Sequence, residues 1–133
     1  MKGKFRVAAL LALVCALGGI AVAGDAEDPA SYTGTIEDRS KVCMIQDAVQ
    51  ARKGLEYAYQ GKKYYLCCGG CLAGFSADPE RHSHARDPVS GDLVDKAEAP
   101  VYALRGRAYF FASPANLDAF ARSPEKFVFE GAR

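Results

Sequence analysis

The chain repeats itself, and the repeat limits what it can fold into. Residues Gly61 to Glu80 align without a gap on Gly106 to Glu125, at a constant offset of 45 positions. Gly61 matches Gly106, Tyr64-Tyr65 match Tyr109-Phe110, Phe75 matches Phe120, and Pro79-Glu80 match Pro124-Glu125. Upstream, Val42-Cys43 corresponds to Val89-Ser90, with a small length difference between. A unit of this size buries little apolar surface alone, so its two copies are expected to pack together or share a sheet.

Each copy has the same coarse plan. A short strand or knuckle comes first, at Lys41 to Ile45 and again at Val89 to Val94. A hairpin follows: "LEYAYQGKKYYLC" and "VYALRGRAYFFA" alternate large residues on both sides of a glycine-centred turn. Then comes a short helix. In the second copy Ser113 suits its N-cap and Pro114 its first position. Leu117 and Phe120 form an apolar i, i+3 pair, as Leu72 and Phe75 do in the first. "DPE" and "SPE" close the helices, because proline disfavours helix at the residue before it. The fold class is therefore α+β: two small ββα units, 41–86 and 87–133, packed together. Residues 24–40, which open small and acidic, are expected to be a flexible leader. The aromatic residues are strand-face and core residues rather than a base-stacking platform, which would need a basic groove.

The N-terminus bounds the working chain. Lys2, Lys4 and Arg6 precede an apolar run from Val7 to Ile20, and Ala21-Val22-Ala23 has the small-x-small form of a cleavage site. Residues 1–23 thus read as a secretory signal peptide, with Cys15 removed along with it. The run is short for a span of about 20 residues, so no stable membrane span is expected after cleavage. The expected location is across the cytoplasmic membrane, in the periplasm, where disulfides are allowed. Without Lys2, Lys4 and Arg6, 14 basic residues face 16 acidic ones. That balance gives no electrostatic case for nucleic acid. No nucleophile–His–acid spacing and no Gly-x-Ser-x-Gly elbow occurs, so no enzyme is expected.

The chemistry concentrates in "YYLCCGGCLAGF", which holds Cys67, Cys68 and Cys71. Cys67 and Cys71 are four apart at a strand–helix junction, so both sulfurs can lie on one side of the first helical turn. Cys43 lies 24 residues before Cys67, and the intervening hairpin folds the chain back. Three thiolates are thereby expected to converge beside a helix N-terminus, which lowers thiol pKa. Gly69 and Gly70 keep side chains away from whatever approaches there. Such a site suits Zn(II) or Cu(I). Cys68, His82 and His84 are the candidates for a fourth ligand. Water, a ligand or a partner protein is the alternative. Cys68 follows Cys67 directly, and adjacent helical residues diverge by about 100°. Met44 reads as a core residue rather than a thioether ligand.

The same residues resemble the YHS/TRASH family of small heavy-metal-binding modules. The resemblance rests on Val42-Cys43-Met44, on Gly61 to Cys67, and on Cys71, Phe75 and Asp78-Pro79-Glu80. It implies a treble-clef-like or zinc-ribbon-like ββα unit, with Cys43, Cys67 and Cys71 as ligands. It also implies a part in copper or zinc sensing, trafficking or resistance. In the second copy Ser90, Ala112 and Asn116 stand where the three cysteines would be, so the tandem's second half is expected to be structural or partner-binding. The function expected is an exported protein that sequesters or traffics Zn(II) or Cu(I), with a protein partner for metal transfer. One alternative is a structural zinc or disulfide-stabilised interaction module. The other is thiol redox activity at Cys67 and Cys71, which lacks the Cys-x-x-Cys and βαβ context of thioredoxin-like proteins.

Overall fold

Two identical tight turns organise the molecule. Gln60-Gly61 and Arg105-Gly106 both have left-handed backbone, with φ of 50° and 76° in each pair. Two successive positive φ angles match the twist of the flanking strands, which is why glycine occupies the second place in both. The computed structural model describes residues 28–128. The stretch read as a signal peptide, 1–23, lies outside them.

In chain order the elements are β1 (Gly34–Thr35), a single 3-10 turn (Arg39–Lys41), β2 (Val42–Cys43), β3 (Ala48–Val49), β4 (Leu55–Tyr59) and β5 (Lys62–Leu66). Then come α1 (Gly69–Ala77), α2 (Pro79–His82), β6 (His84–Arg86), β7 (Leu93–Asp95), β8 (Val101–Leu104), β9 (Arg107–Phe110), α3 (Pro114–Arg122) and α4 (Glu125–Val128). The mixed α/β class holds. Each half runs knuckle, hairpin, helix, helix. The knuckles are the antiparallel pairs β2–β3 and β6–β7, and the hairpins are β4–β5 and β8–β9.

Three local readings need correcting. The stretch 24–40, expected to be a flexible leader, supplies β1, which pairs with β8, and the 3-10 turn. The Arg39 guanidinium ties that turn to the backbone carbonyls of Lys96, Glu98 and Ala99. "DPE" and "SPE" end one helix but also start another. Pro79 sits at the first position of α2, whose N-cap Asp78 accepts from Arg81 N–H. The second knuckle, expected at Val89 to Val94, is the pair β6 and β7, with Val89 and Ser90 in the turn between them.

The halves interlock. The largest sheet has the order β1-β8-β9-β3-β2, so the first knuckle extends the second hairpin. Ala48 pairs with Arg107, and Ala108 N–H donates to the Asp47 carbonyl and Val49 N–H to the Gly106 carbonyl, both at 2.8 Å. The reciprocal contact joins the first hairpin to the second knuckle. Lys62, which matches Arg107, pairs with Asp95 at 2.8 Å, and the Tyr64 hydroxyl donates to Asp95 at 2.9 Å. One side of the interlock uses backbone and the other uses charge.

The core follows this arrangement. One cluster mixes both halves: Val42, Met44, Tyr64, Leu66 and Phe75 meet Val101, Ala108 and Phe110. A smaller one centres on Phe111, Leu117 and Phe120. Around Phe75 stand the rings of Tyr57, Tyr64 and His82, at 5.4, 4.9 and 6.2 Å. Around Phe120 stand Tyr102, Tyr109 and Phe127, at 5.9, 4.9 and 6.0 Å. These three pairs match at the offset of 45. The aromatics are therefore core and strand-face residues, and Met44 is fully buried among them.

Candidate metal centre

The site sits where the first knuckle, the end of β5 and the start of α1 meet. Cys43 closes β2, Cys67 follows β5, and Cys71 lies in the first turn of α1. A backbone hydrogen bond from Met44 N–H to the Tyr65 carbonyl (2.9 Å) joins knuckle to strand just behind the thiols. Gly74 lets α1 approach the knuckle. A Cβ there would lie 3.2 Å from Ile45 Cδ1, tighter than most carbon contacts. From the other half, the Lys96 ammonium donates to the Met44 carbonyl at 2.8 Å and to Asp47 Oδ1 at 2.6 Å. Lys96 is only 5 % exposed, so it braces the knuckle from inside. Burial raises the Asp47 carboxyl above its ordinary value, against the attraction of Lys96.

The sulfurs of Cys43, Cys67 and Cys71 all lie within 4.8 Å of one another, close enough to hold one metal ion. Cys67 and Cys71 are 3.5 Å apart, and all four described cysteines are free thiols. Thiolates on a tetrahedral ion at about 2.3 Å stand about 3.8 Å apart, so the spacing fits with little rearrangement. No other group of three ligating side chains gathers this way among the described residues. Cys43 and Cys71 are buried, whereas Cys67 is exposed. The ion would be gripped from below and reachable from one side.

The three thiols differ in their electrostatics. Burial pushes the Cys43 thiol up, but N–H donors of Gln46, Cys67 and Ile45 outweigh it and leave Cys43 below its ordinary value. Burial and the neighbouring thiols push Cys71 far up, and burial raises Cys67 as well. One thiolate forms readily, and two more beside it repel it in a low-dielectric corner. A soft cation removes that obstacle, with release of the remaining protons.

The other candidate ligands have different employment. Cys68 is exposed and is the N-cap of α1, its sulfur accepting from Cys71 N–H at 3.5 Å. His82 packs on Phe75 in the place that Phe127 takes in the second half. His84 Nδ1 lies 2.9 Å from Ser83 Oγ and 3.1 Å from the Glu80 carbonyl. Neither histidine joins the sulfur group, and Cys68, though its sulfur interacts with those of Cys67 and Cys71, is not part of the set in which all sulfurs lie within 4.8 Å of one another. A Cβ on Gly69 would meet nothing within 4 Å, and one on Gly70 only the Cys68 sulfur at 3.8 Å. Among the described residues no close approach explains this glycine pair. Sequence reasoning missed Lys96 and Asp95, which position the site from the second half. "LVDKAEAP" carries no signal that its lysine is buried.

No protein-family model matches the chain, and no curated protein or solved structure matches it either. No helix among the described residues is long and apolar enough to cross a membrane.

Proposed function

We propose that this is a soft-metal-binding protein that takes up one Zn(II) or Cu(I) ion on Cys43, Cys67 and Cys71 and hands it on. The observation that carries the reading is the convergence of three sulfurs from three elements within 4.8 Å. The exposure of Cys67 beside two buried partners favours cargo over a permanent structural ion, because structural zinc is enclosed by four ligands. The fourth position is left to water, a small ligand or a thiol of the receiving protein. In this reading the first half is a YHS/TRASH-type, treble-clef-like unit and the second a copy without metal chemistry. The protein is not an enzyme. The pattern of residues 1–23 supports export to the periplasm, where a carrier of this kind would meet its partner.

A second reading draws on the 3.5 Å separation of Cys67 and Cys71: exchange with a partner's disulfide, which is reduced to two thiols as the pair is oxidised, would join the two sulfurs and close the site. One experiment separates the readings. The protein is purified without oxygen, offered Zn(II) or Cu(I), and weighed by native mass spectrometry alongside Cys43→Ser, Cys67→Ser and Cys71→Ser. One ion per chain, lost in each variant and yielded to a chelator, is the expected result. A metal-free protein whose cysteines are all half-cystines would sink the proposal. Zinc that no chelator removes would assign the site to structure.

A further inference from the structure

In the second half the knuckle register puts Asp87, rather than Ser90, in the place of Cys43. Cys43 stands opposite Ala48, and Asp87 N–H bonds the Asp92 carbonyl, across turns of equal length. The positions matching Cys67 and Cys71 turn toward the Asp87 carboxylate. Ser90 N–H, Ala112 N–H and the Asn116 side-chain amide donate to Asp87 at 3.3, 2.7 and 2.8 Å. Val89 N–H adds a fourth bond at 2.7 Å. Oδ1 takes the two donors of the knuckle, and Oδ2 takes the two at the strand-to-helix corner. Asp87 is 1 % exposed, and no Lys, Arg or His pairs with it among the described residues. A carboxylate buried this deeply is tolerated only when its oxygens are filled with donors.

The carboxylate joins the same two elements that the cysteine triad joins in the first half, with the signs reversed. There, three thiols converge where a cation would sit. Here, four donor groups surround an anion that belongs to the chain. Asp87 thus stands where the first half has Cys43, whose sulfur faces the N–H groups of Ile45, Gln46 and Cys67 as Asp87 faces those of Val89, Ser90 and Ala112. Burial raises the Asp87 carboxyl, but the donors from Ala112, Asn116, Val89 and Ser90 outweigh it and hold it below the usual range.

We infer that Asp87 is the built-in cross-link of the second half, replacing an ion as the tie between knuckle and helix. This half therefore folds without metal and keeps the first half in shape when the cysteine site is empty. Three contacts carry that support across. β9 pairs with β3 beside Cys43's knuckle, the Lys96 ammonium holds the Met44 carbonyl, and Asp95 holds Lys62 and Tyr64 of the hairpin leading to Cys67. None of them involves a metal ion. Many small metal modules are unfolded when empty, and this arrangement removes that coupling.

The comparison of the two corners rests on the metal reading proposed above, but the tie made by Asp87 does not. The protein is melted in excess chelator and reductant, followed by far-ultraviolet circular dichroism. The wild type is expected to melt cooperatively, and Asp87→Asn to melt roughly 10 °C lower, since a charged acceptor of four bonds becomes a neutral amide. In case Asp87→Asn does not fold, a second variant rebuilds the corner with cysteines: Asp87→Cys/Ala112→Cys/Asn116→Cys. It should take up one zinc ion more than its parent by native mass spectrometry and lose its cooperative melt in chelator. A wild type without a cooperative melt in chelator would overturn the inference. So would Asp87→Asn melting within a degree or two of wild type, or a cysteine variant that folds with no extra ion. If the parent binds no zinc while Asp87→Asn still melts low, the metal reading fails and the cross-link stands.

Discussion

Cys68 and Ser113 hold the same place in the two halves. Each is the N-cap of its helix, with the Cys68 sulfur accepting from Cys71 N–H at 3.5 Å and the Ser113 hydroxyl from Asn116 N–H at 3.2 Å. The protein thus shows, within one chain, that serine performs this structural task. Cys68→Ser is accordingly expected to change stability by no more than about 0.5 kcal/mol, since serine is a favoured cap. Metal stoichiometry should also be unchanged. A drop of more than tenfold in affinity for Zn(II) or Cu(I), read by competition with a coloured chelator, would make Cys68 a ligand after all.

The exposure of the thiols orders their reactivity. Cys67 and Cys68 are exposed, and Cys43 and Cys71 are buried. In the metal-free protein a thiol reagent should label the first two at once and the other two only slowly. Loading with zinc should protect Cys67 and leave Cys68 reactive. Peptide mapping by mass spectrometry after brief alkylation checks both points, and protection of Cys68 together with Cys67 would contradict the geometry.

Asp95 links stability to pH. Burial raises its carboxyl, but Lys62, the Ala97 N–H and the Tyr64 hydroxyl outweigh that and leave it below the usual range. Burial and the bond to Asp95 push the Tyr64 phenol up to about 12. A carboxylate held low in the folded state contributes stability that is complete above its unfolded value, about pH 4, and is lost as pH falls through the folded value. Urea unfolding at pH 7 and at pH 3 should show this loss, reduced in Asp95→Asn. Tyr64→Phe removes a hydrogen bond to a charged acceptor and should cost about 1.5–3 kcal/mol at pH 7. Equal acid sensitivity in Asp95→Asn and wild type would count against this role.

Gly106 is constrained twice. Its φ is +76°, and an added Cβ would lie 2.6 Å from the Pro29 carbonyl oxygen and 2.7 Å from Ala30 Cα, where the chain crosses the turn. Gly106→Ala is expected to cost more than about 1 kcal/mol, from strained backbone and a contact that side-chain motion cannot relieve. At Gly61 the same φ of +76° occurs with nothing within 4 Å, so Gly61→Ala should cost about 1 kcal/mol, the backbone share alone. Thermal melts of the pair measure the difference.

Much of this was legible in the chain. The offset of 45 located both hairpins, both turns and both first helices, because those features depend on local alternation, glycine and capping residues. It also separated the scaffold aromatics from Cys43, Cys67 and Cys71. It held an unused signal: His82 falls on Phe127, which marks His82 as a packing ring rather than a ligand. What the repeat could not reveal were departures from itself. Aligning Val42-Cys43 with Val89-Ser90 sets Asp87 against Ser40, and only the knuckle register shows that it stands in the place of Cys43. The burial of Lys96 and the docking of β3 on β9 arise from long-range packing that no local pattern encodes. The short helices α2 and α4 were hidden by a proline read only as a stop, although proline is equally at home in a first helical turn.

The sheet order β1-β8-β9-β3-β2 also sets a timetable. Ala48 has no neighbour on its outer side until Arg107 is made, and Gly34 none until Ala103. Contacts so distant along the chain form late, because a long loop must close before they are rewarded. The half that carries the thiols is therefore synthesised first and completed last. Through that interval the core that Cys43 and Cys71 share with Val101, Ala108 and Phe110 is incomplete, and the speed at which the second hairpin docks sets how long it stays so.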